Sequence, residues 1–168
     1  MSERIIHYHT ASVRLLIWGT YLLALVIDIF NLLTPHLVFL PPFTLLITLY
    51  WCALLFDRTF IPSAFILGLC LDALYQTTLG SHALIFTAIV FVMLRNRLHF
   101  RVFSVIQQAF LIMGYFIIYQ ILHFFIFSPV LTNEELKFYA AMPVIAGLIW
   151  TVLASVLNLV TQKQIHEN

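Results

Sequence analysis

Residues 79–101 read LGSHALIFTAIVFVMLRNRLHFR, an apolar run of about 16 residues followed at once by three arginines. A helix needs about 20 apolar residues to cross the hydrocarbon core of a bilayer, so flanking residues must complete this span. Positively charged residues resist translocation and hold their end of a span in the cytoplasm. The stretch therefore predicts a membrane-spanning helix over residues 79–94 with a cytoplasmic carboxyl end.

Further apolar stretches lie on both sides of this one, and together they predict six spans: 15–33, 39–56, 60–76, 79–94, 102–127 and 143–162. None of them alternates apolar with polar residues as the strand of a membrane β-barrel would. With the amino terminus in the cytoplasm, seven of the eight Lys and Arg residues fall on cytoplasmic segments, and only Lys137 falls outside. We therefore predict an all-α fold: one six-transmembrane-helix domain over residues 1–168 with both termini in the cytoplasm.

The composition supports an integral membrane protein. Hydrophobic residues make up 62% of the chain and charged residues 9%, and the mean hydropathy is +1.02. A soluble domain of 168 residues could not bury that much apolar surface. The polar segment 1–14 and the lack of a small-residue cleavage site argue against a cleaved signal peptide. A net charge of +1 leaves no basic patch large enough for nucleic acid, so no nucleic-acid partner is expected.

Small and polar residues recur at four-residue spacing within several spans, which places them on one face of a helix. Helices in lipid associate through close packing and interhelical hydrogen bonds, so such faces are expected to meet other helices. The clearest examples are in span three (Ala64, Gly68, Asp72, Gln76) and span six (Gly147, Thr151, Ser155). Tyr115, Tyr119 and His123 of span five also share a face, for which an anchor at the membrane interface is the first interpretation and a partner-helix contact the second.

Asp28 and Asp72 are the only carboxylates inside the predicted spans. An ionised carboxylate at the bilayer centre costs at least about 2.5–3.5 kcal/mol. Both lie a few residues from the outer end of an odd-numbered span, at the depth expected for His36 and His82. They either form a polar site near the outer surface or are satisfied individually, by hydrogen bonds to a neighbouring helix or by reaching the membrane interface. The sequence leaves both alternatives open.

Catalysis finds little support in the sequence. No two histidines have the spacing of a helical metal site, and the inner half of span one is too apolar for a proton path. No nucleophile elbow, P-loop or dinucleotide fingerprint occurs among the five glycines. The outer segment 128–142 is predicted to form a short surface helix, with Thr132 and Glu135 spaced as a capping box. We therefore expect no enzyme activity, no cofactor and no metal.

Several short sequence pieces occur in a fixed order between Phe39 and Met113: Pro41-Pro42-Phe43, Leu49-Tyr50-Trp51, Gly68-Leu69-Cys70-Leu71-Asp72, Thr78-Leu79-Gly80 and Gln107-Gln108-Ala109. Their order and spacing resemble the MreD family of rod shape-determining proteins of Gram-negative bacteria. One position departs from the family pattern, which usually has a glycine about four residues after the Asp, where this chain has Gln76. Glycine would permit a tight helix end there, whereas an amide offers a hydrogen bond to Asp72 one turn away.

The resemblance implies a bacterial inner (cytoplasmic) membrane protein with a fold similar to the substrate-binding subunits of energy-coupling-factor transporters. It implies a non-enzymatic scaffold that binds the bitopic protein MreC. That scaffold supports lateral peptidoglycan synthesis by the elongation complex, with MreB, RodA and a class B penicillin-binding protein. The candidate structural or partner-contact residues are Ala64, Gly68, Asp72, Gly80, Pro41, Asp28, Tyr50 and Trp51. The alternative function, from the same fold analogy, is a small-ligand-binding subunit of a membrane transporter that uses Asp28, Asp72 and His82.

Overall fold

The computed structural model describes residues 11–33, 40–55, 60–129 and 133–166. In these ranges the chain forms six α-helices and no strand: α1 (Ala11–Leu33), α2 (Phe43–Leu54), α3 (Ile61–Tyr75), α4 (Ser81–Val102), α5 (Val105–Phe127) and α6 (Asn133–His166). The all-α prediction is thus confirmed. His36 and Thr132 lie outside the described residues.

The bundle is built around α2, whose residues Thr44–Ala53 are all buried. Helices α1 and α4 pack along α2, and α3 pairs closely with α4. Helices α5 and α6 form a second close pair, which joins the rest mainly through α4. The outer faces of α1, α5 and α6 expose large apolar side chains, among them Trp18, Phe110 and Leu148. An apolar exterior around a buried helix is the arrangement expected in lipid.

Four of the helices are long and apolar enough to cross a membrane, over Val13–Leu33, Ser81–Val102, Val105–Phe127 and Leu136–Thr161. The other two contain 12 and 15 residues, or about 18 and 22 Å, which is less than a hydrocarbon core of about 30 Å. Helices α2 and α3 are therefore shorter than the predicted spans 39–56 and 60–76. A proline disfavours the helical conformation of the residue before it, and Pro42 itself has an extended backbone, so α2 begins only at Phe43; its carboxyl end stops at the extended residue Leu55.

The segment 95–101, which separates the predicted spans 79–94 and 102–127, belongs to the last part of α4. Only Phe103 and Ser104 separate that helix from α5. His99 and Arg101 lie in its last turn, where positive charge complements the helix dipole. Ser104 and Gln107 form a capping box that starts α5, with the Ser104 N–H donating to the Gln107 side chain at 2.9 Å.

The predicted surface helix within 128–142 is also wrong, because residues 133–142 belong to α6, which continues through Pro143. Proline lacks the N–H that would donate to the carbonyl of residue 139, four positions earlier. The Gln120 side-chain amide on α5 donates to that carbonyl of Tyr139 instead. The Tyr139 hydroxyl donates in return to the Gln120 carbonyl at 3.1 Å. A donor from the neighbouring helix therefore satisfies the carbonyl that the proline leaves unpaired.

A double-mutant cycle tests this compensation. Gln120→Leu should lower the free energy of unfolding by about 1–3 kcal/mol, because a partly buried carbonyl loses its donor. In a Pro143→Ala background the helix supplies its own donor, so the same change should cost clearly less. Thermal denaturation of the four proteins in one detergent gives the coupling. Equal costs of Gln120→Leu in both backgrounds would mean that the amide has another role.

The predicted packing face of span six is displaced by one residue. Gly147 is buried, but Thr151 is half-buried and Ser155 is exposed. The buried face runs through Ala146, Trp150 and Ala154. The two hydroxyls donate to carbonyls of their own helix at 2.7 Å, so they need no partner helix.

Candidate functional site

Helices α2 and α4 both begin at a residue that has no side-chain acceptor. These residues are Pro42 and Gly80, and neither makes a side-chain cap hydrogen bond. The first amides of a helix have no partner within it, and the interior of a bilayer provides no water to replace one. Acceptors must therefore come from elsewhere in the fold.

Asp28 supplies them for α2. The carboxylate lies near the end of α1 and is fully buried, with 0% exposure. Its Oδ1 accepts from the Phe43 N–H at 2.8 Å, and its Oδ2 accepts from the Thr44 N–H at 3.0 Å and from the Thr44 hydroxyl. A carboxylate at this position also interacts favourably with the positive end of the helix dipole.

Asp72 performs the same role for α4, with 1% exposure. Its Oδ2 accepts from the Gly80 N–H at 2.7 Å, and its Oδ1 accepts from the His82 N–H at 2.9 Å. The Thr77 hydroxyl donates to Oδ1 at 3.0 Å, and the His82 ring Nδ1 lies 2.7 Å from the same oxygen. We call the end of the bundle that carries Asp28 and Asp72 the capped end.

The turn between α3 and α4 depends on two left-handed residues. Gln76 has φ 53° and Gly80 has φ 98°. Gln76 therefore adopts a backbone conformation that favours glycine, at the position where the family pattern usually has one. Its side chain is exposed. The Asp72 carboxylate is bonded by Thr77, Gly80 and His82, and the exposed side chain of Gln76 makes no hydrogen bond to it.

The backbones of α3 and α4 touch at Gly68. A Cβ added at this glycine would lie 2.4 Å from the Cα of Ala83 and 2.5 Å from its nitrogen. Ala64, one turn earlier, is fully buried, and Asp72 follows one turn later. The small and polar face predicted for span three therefore faces α4, within the bundle.

Aromatic rings join this hairpin to the α5–α6 pair. The His82 ring centroid lies 5.5 Å from Tyr75, 4.9 Å from Phe127 and 6.0 Å from His123. His123 stacks on Tyr119 at 5.7 Å. The first interpretation of the span-five face, an anchor at the membrane interface, is therefore wrong, because Tyr115 and Tyr119 are buried inside the bundle.

The remaining candidates hold α2 in place. The Tyr50 hydroxyl donates to the Asn158 side chain on α6 at 2.8 Å, and the Trp51 indole donates to the Thr20 hydroxyl on α1 at 2.9 Å. Pro41 is buried beside the first turn of α2. The structure thus brings Asp72, Gly80 and His82 together, whereas the described partners of Asp28 are on α2. In the described part of the chain, no three His, Cys, Asp or Glu side chains are grouped as metal ligands would be.

The apolar exterior and the four long apolar helices define a multi-pass membrane protein whose internal carboxylates cap helices. The family model described as rod shape-determining protein MreD matches residues 10–160, and the chain belongs to that family. The rod shape-determining protein MreD of Haemophilus influenzae is 30% identical over 86 residues, which are 51% of this chain and 53% of that protein. The chain thus spans about half the length of this curated relative. No solved structure matches.

Proposed function

We propose that the protein is a non-enzymatic membrane scaffold of bacterial cell shape. It binds an MreC-like bitopic protein and supports lateral peptidoglycan synthesis by the elongation complex, which includes MreB, RodA and a class B penicillin-binding protein. The observation that carries this proposal is the family match over residues 10–160. The partners and the complex are those that the family resemblance implies.

The interior of the bundle supports a role exercised through its surface. The carboxylates of Asp28 and Asp72 are buried and hydrogen-bonded to the first turns of α2 and α4, where they stabilise the fold. Large apolar side chains cover the outside, with Trp18 68%, Phe110 67% and Phe125 77% exposed. Such faces are suited to lipid and to the helix of another membrane protein. The transporter-subunit alternative would need these carboxylates for a ligand, so no observation favours it.

We also propose that the capped end faces outward in the inner membrane and that both termini are cytoplasmic. The distribution of Lys and Arg supports this orientation. Arg95, Arg97 and Arg101 lie at the opposite end of α4 from Gly80, and we call that end the basic end. Cysteine accessibility to an impermeant reagent tests the orientation, with single cysteines at Lys137 and Arg101 in a background that lacks Cys52 and Cys70. Labelling of intact spheroplasts at Arg101 but not at Lys137 would reverse it.

Co-purification tests the scaffold function directly. The tagged chain is isolated from native membranes in a mild detergent, and the bound proteins are identified by mass spectrometry. We expect an MreC-like bitopic protein and wall synthases in fixed proportion, and neither with an unrelated tagged multi-pass protein at the same expression. Recovery of ABC ATPases with a coupling membrane subunit would contradict the scaffold and favour a transporter subunit.

A further inference from the structure

A groove lies between α4 and α5 toward the basic end. It has a volume of about 430 Å³ and is lined by Val92, Asn96 and His99 of α4, by Phe103 just after that helix, and by Leu111, Gly114, Tyr115 and Ile118 of α5. Its floor is open at Gly114, since nothing lies within 4 Å of a Cβ built there. The groove is therefore a consequence of the missing side chain between two closely connected helices.

The dimensions of the groove fit a narrow chain better than a helix. From Val92 to Phe103 the α4 wall is about 16 Å long, close to half of a hydrocarbon core of about 30 Å. The floor of the groove is formed by one missing side chain, at Gly114, whereas a helix with its side chains is about 10 Å in diameter. An acyl chain in one leaflet has the required shape.

The positive charge along this part of α4 indicates that a lipid bound here would have an anionic head group. Arg95, Arg97, His99 and Arg101 follow one another within two turns, with Arg101 lining a separate cavity beside Tyr50, and the sequence has no Asp or Glu between Asp72 and Glu134. Arg95 and His99 are both exposed and, four residues apart, share a face of the helix. Asn96 and His99 add polar groups to the groove wall itself. A phosphate is complementary to this surface, as in basic pockets between transmembrane helices.

We propose that this groove binds one anionic phospholipid from the leaflet at the basic end. Its phosphate lies beside Arg95 and His99, and one acyl chain runs along Gly114 and Ile118. The site needs only that the α4–α5 pair lies in a bilayer, so it is independent of the protein partners proposed above. The bound lipid would cover apolar surface between α4 and α5 that the protein itself leaves open.

Native mass spectrometry of the full chain in a mild detergent tests the site, with phosphatidylglycerol and phosphatidylethanolamine of the same acyl chains as probes. We expect a saturable 1:1 adduct with phosphatidylglycerol and weaker binding of phosphatidylethanolamine. Gly114→Leu should abolish the adduct, because a Cβ at this position meets no atom within 4 Å and the rest of the leucine side chain would occupy the groove. Gly19→Leu is the matched control, since this helical glycine also has nothing within 4 Å of its Cβ, and it should retain the adduct.

Charge is tested separately, so that the outcome does not depend on the folding of one variant. Arg95→Gln should weaken phosphatidylglycerol binding about fivefold, the effect expected for one basic residue near an anionic surface. Lys137→Gln, at an exposed position on α6, should leave it unchanged. Equal binding of the two lipids, or an adduct that survives Gly114→Leu, would overturn the site. If Gly114→Leu released a co-purifying protein but kept the lipid, the groove would be a binding site for a partner helix. That result would also overturn the proposed lipid site.

Discussion

Replacement of Gly68 by alanine is expected to separate α3 from α4 and to lower the free energy of unfolding by about 3 kcal/mol. The new Cβ would lie 2.4 Å from the Cα and 2.5 Å from the nitrogen of Ala83. Both obstructing atoms are backbone, so no side-chain rotation relieves the contact. The measurement is thermal denaturation of the purified protein in detergent, followed by the fluorescence of its three tryptophans.

The chain provides its own controls for this prediction. Gly19 and Gly114 are also helical glycines, and at neither would an added Cβ have another atom within 4 Å. Alanine at either position should be neutral or stabilise the protein by about 0.5–1 kcal/mol, because alanine is the better helix former. If Gly68→Ala melted together with these two variants, the close approach of α3 and α4 would not be needed for stability.

Asp72→Leu is expected to lower the free energy of unfolding by about 3–5 kcal/mol, because it removes one buried acceptor from several buried or partly buried donors. The amides of Gly80 and His82 would lose their partner, as would the Thr77 hydroxyl. Asp72→Asn keeps one carbonyl oxygen and should fall between the wild type and Asp72→Leu. In cells whose rod shape depends on this protein, Asp72→Leu should fail to maintain that shape.

Gln76→Leu is the matched control for Asp72→Leu, because Gln76 is exposed in the same turn. Thermal denaturation orders the four proteins, and quantitative immunoblotting of membranes separates loss of the protein from loss of its partners. Wild-type melting of Asp72→Leu would contradict the capping role. Normal cell shape and partner recovery at wild-type expression would show that the cap is not needed for function.

The helices and the two important carboxylates could be predicted from the sequence, because both predictions depend on the free-energy cost of placing polar groups in lipid. Apolar runs locate helices, and a carboxylate inside such a run stands out since it must find a partner. The hydrogen-bond partners of the two carboxylates could not be predicted, although the sequence indicates which helices lack a cap of their own. Pro42 and Gly80 cannot cap the helices that follow them, and each of those helices comes directly after a span with an internal Asp. Helix α3 also starts without a side-chain cap. A missing cap in the sequence therefore indicates that the first amides of a helix need an acceptor, but it does not identify the residue that supplies one.

Other features could not be predicted, because the composition of a membrane helix does not show which of its faces contacts lipid and which contacts another helix. Tyr115 and Tyr119 have the composition of an interfacial anchor, but they pack inside the bundle. Ser155 has the composition of a packing residue, but its hydroxyl bonds to its own helix and faces outward. The continuation of α6 through Pro143 depends on Gln120, which lies on another helix. Pairings between helices of this kind require the three-dimensional structure.

The local character of the two caps has a consequence for biosynthesis. Asp28 lies 16 residues before Thr44, and Asp72 lies 10 residues before His82. At about 5–20 residues per second, the ribosome completes the donors of Asp28 within about 1–3 s after the carboxylate itself. Each carboxylate can thus meet its amides while the hairpin is being inserted, before α5 and α6 exist. We expect α1–α2 and α3–α4 to enter the membrane as pairs, so that neither Asp has to reach the lipid interior alone.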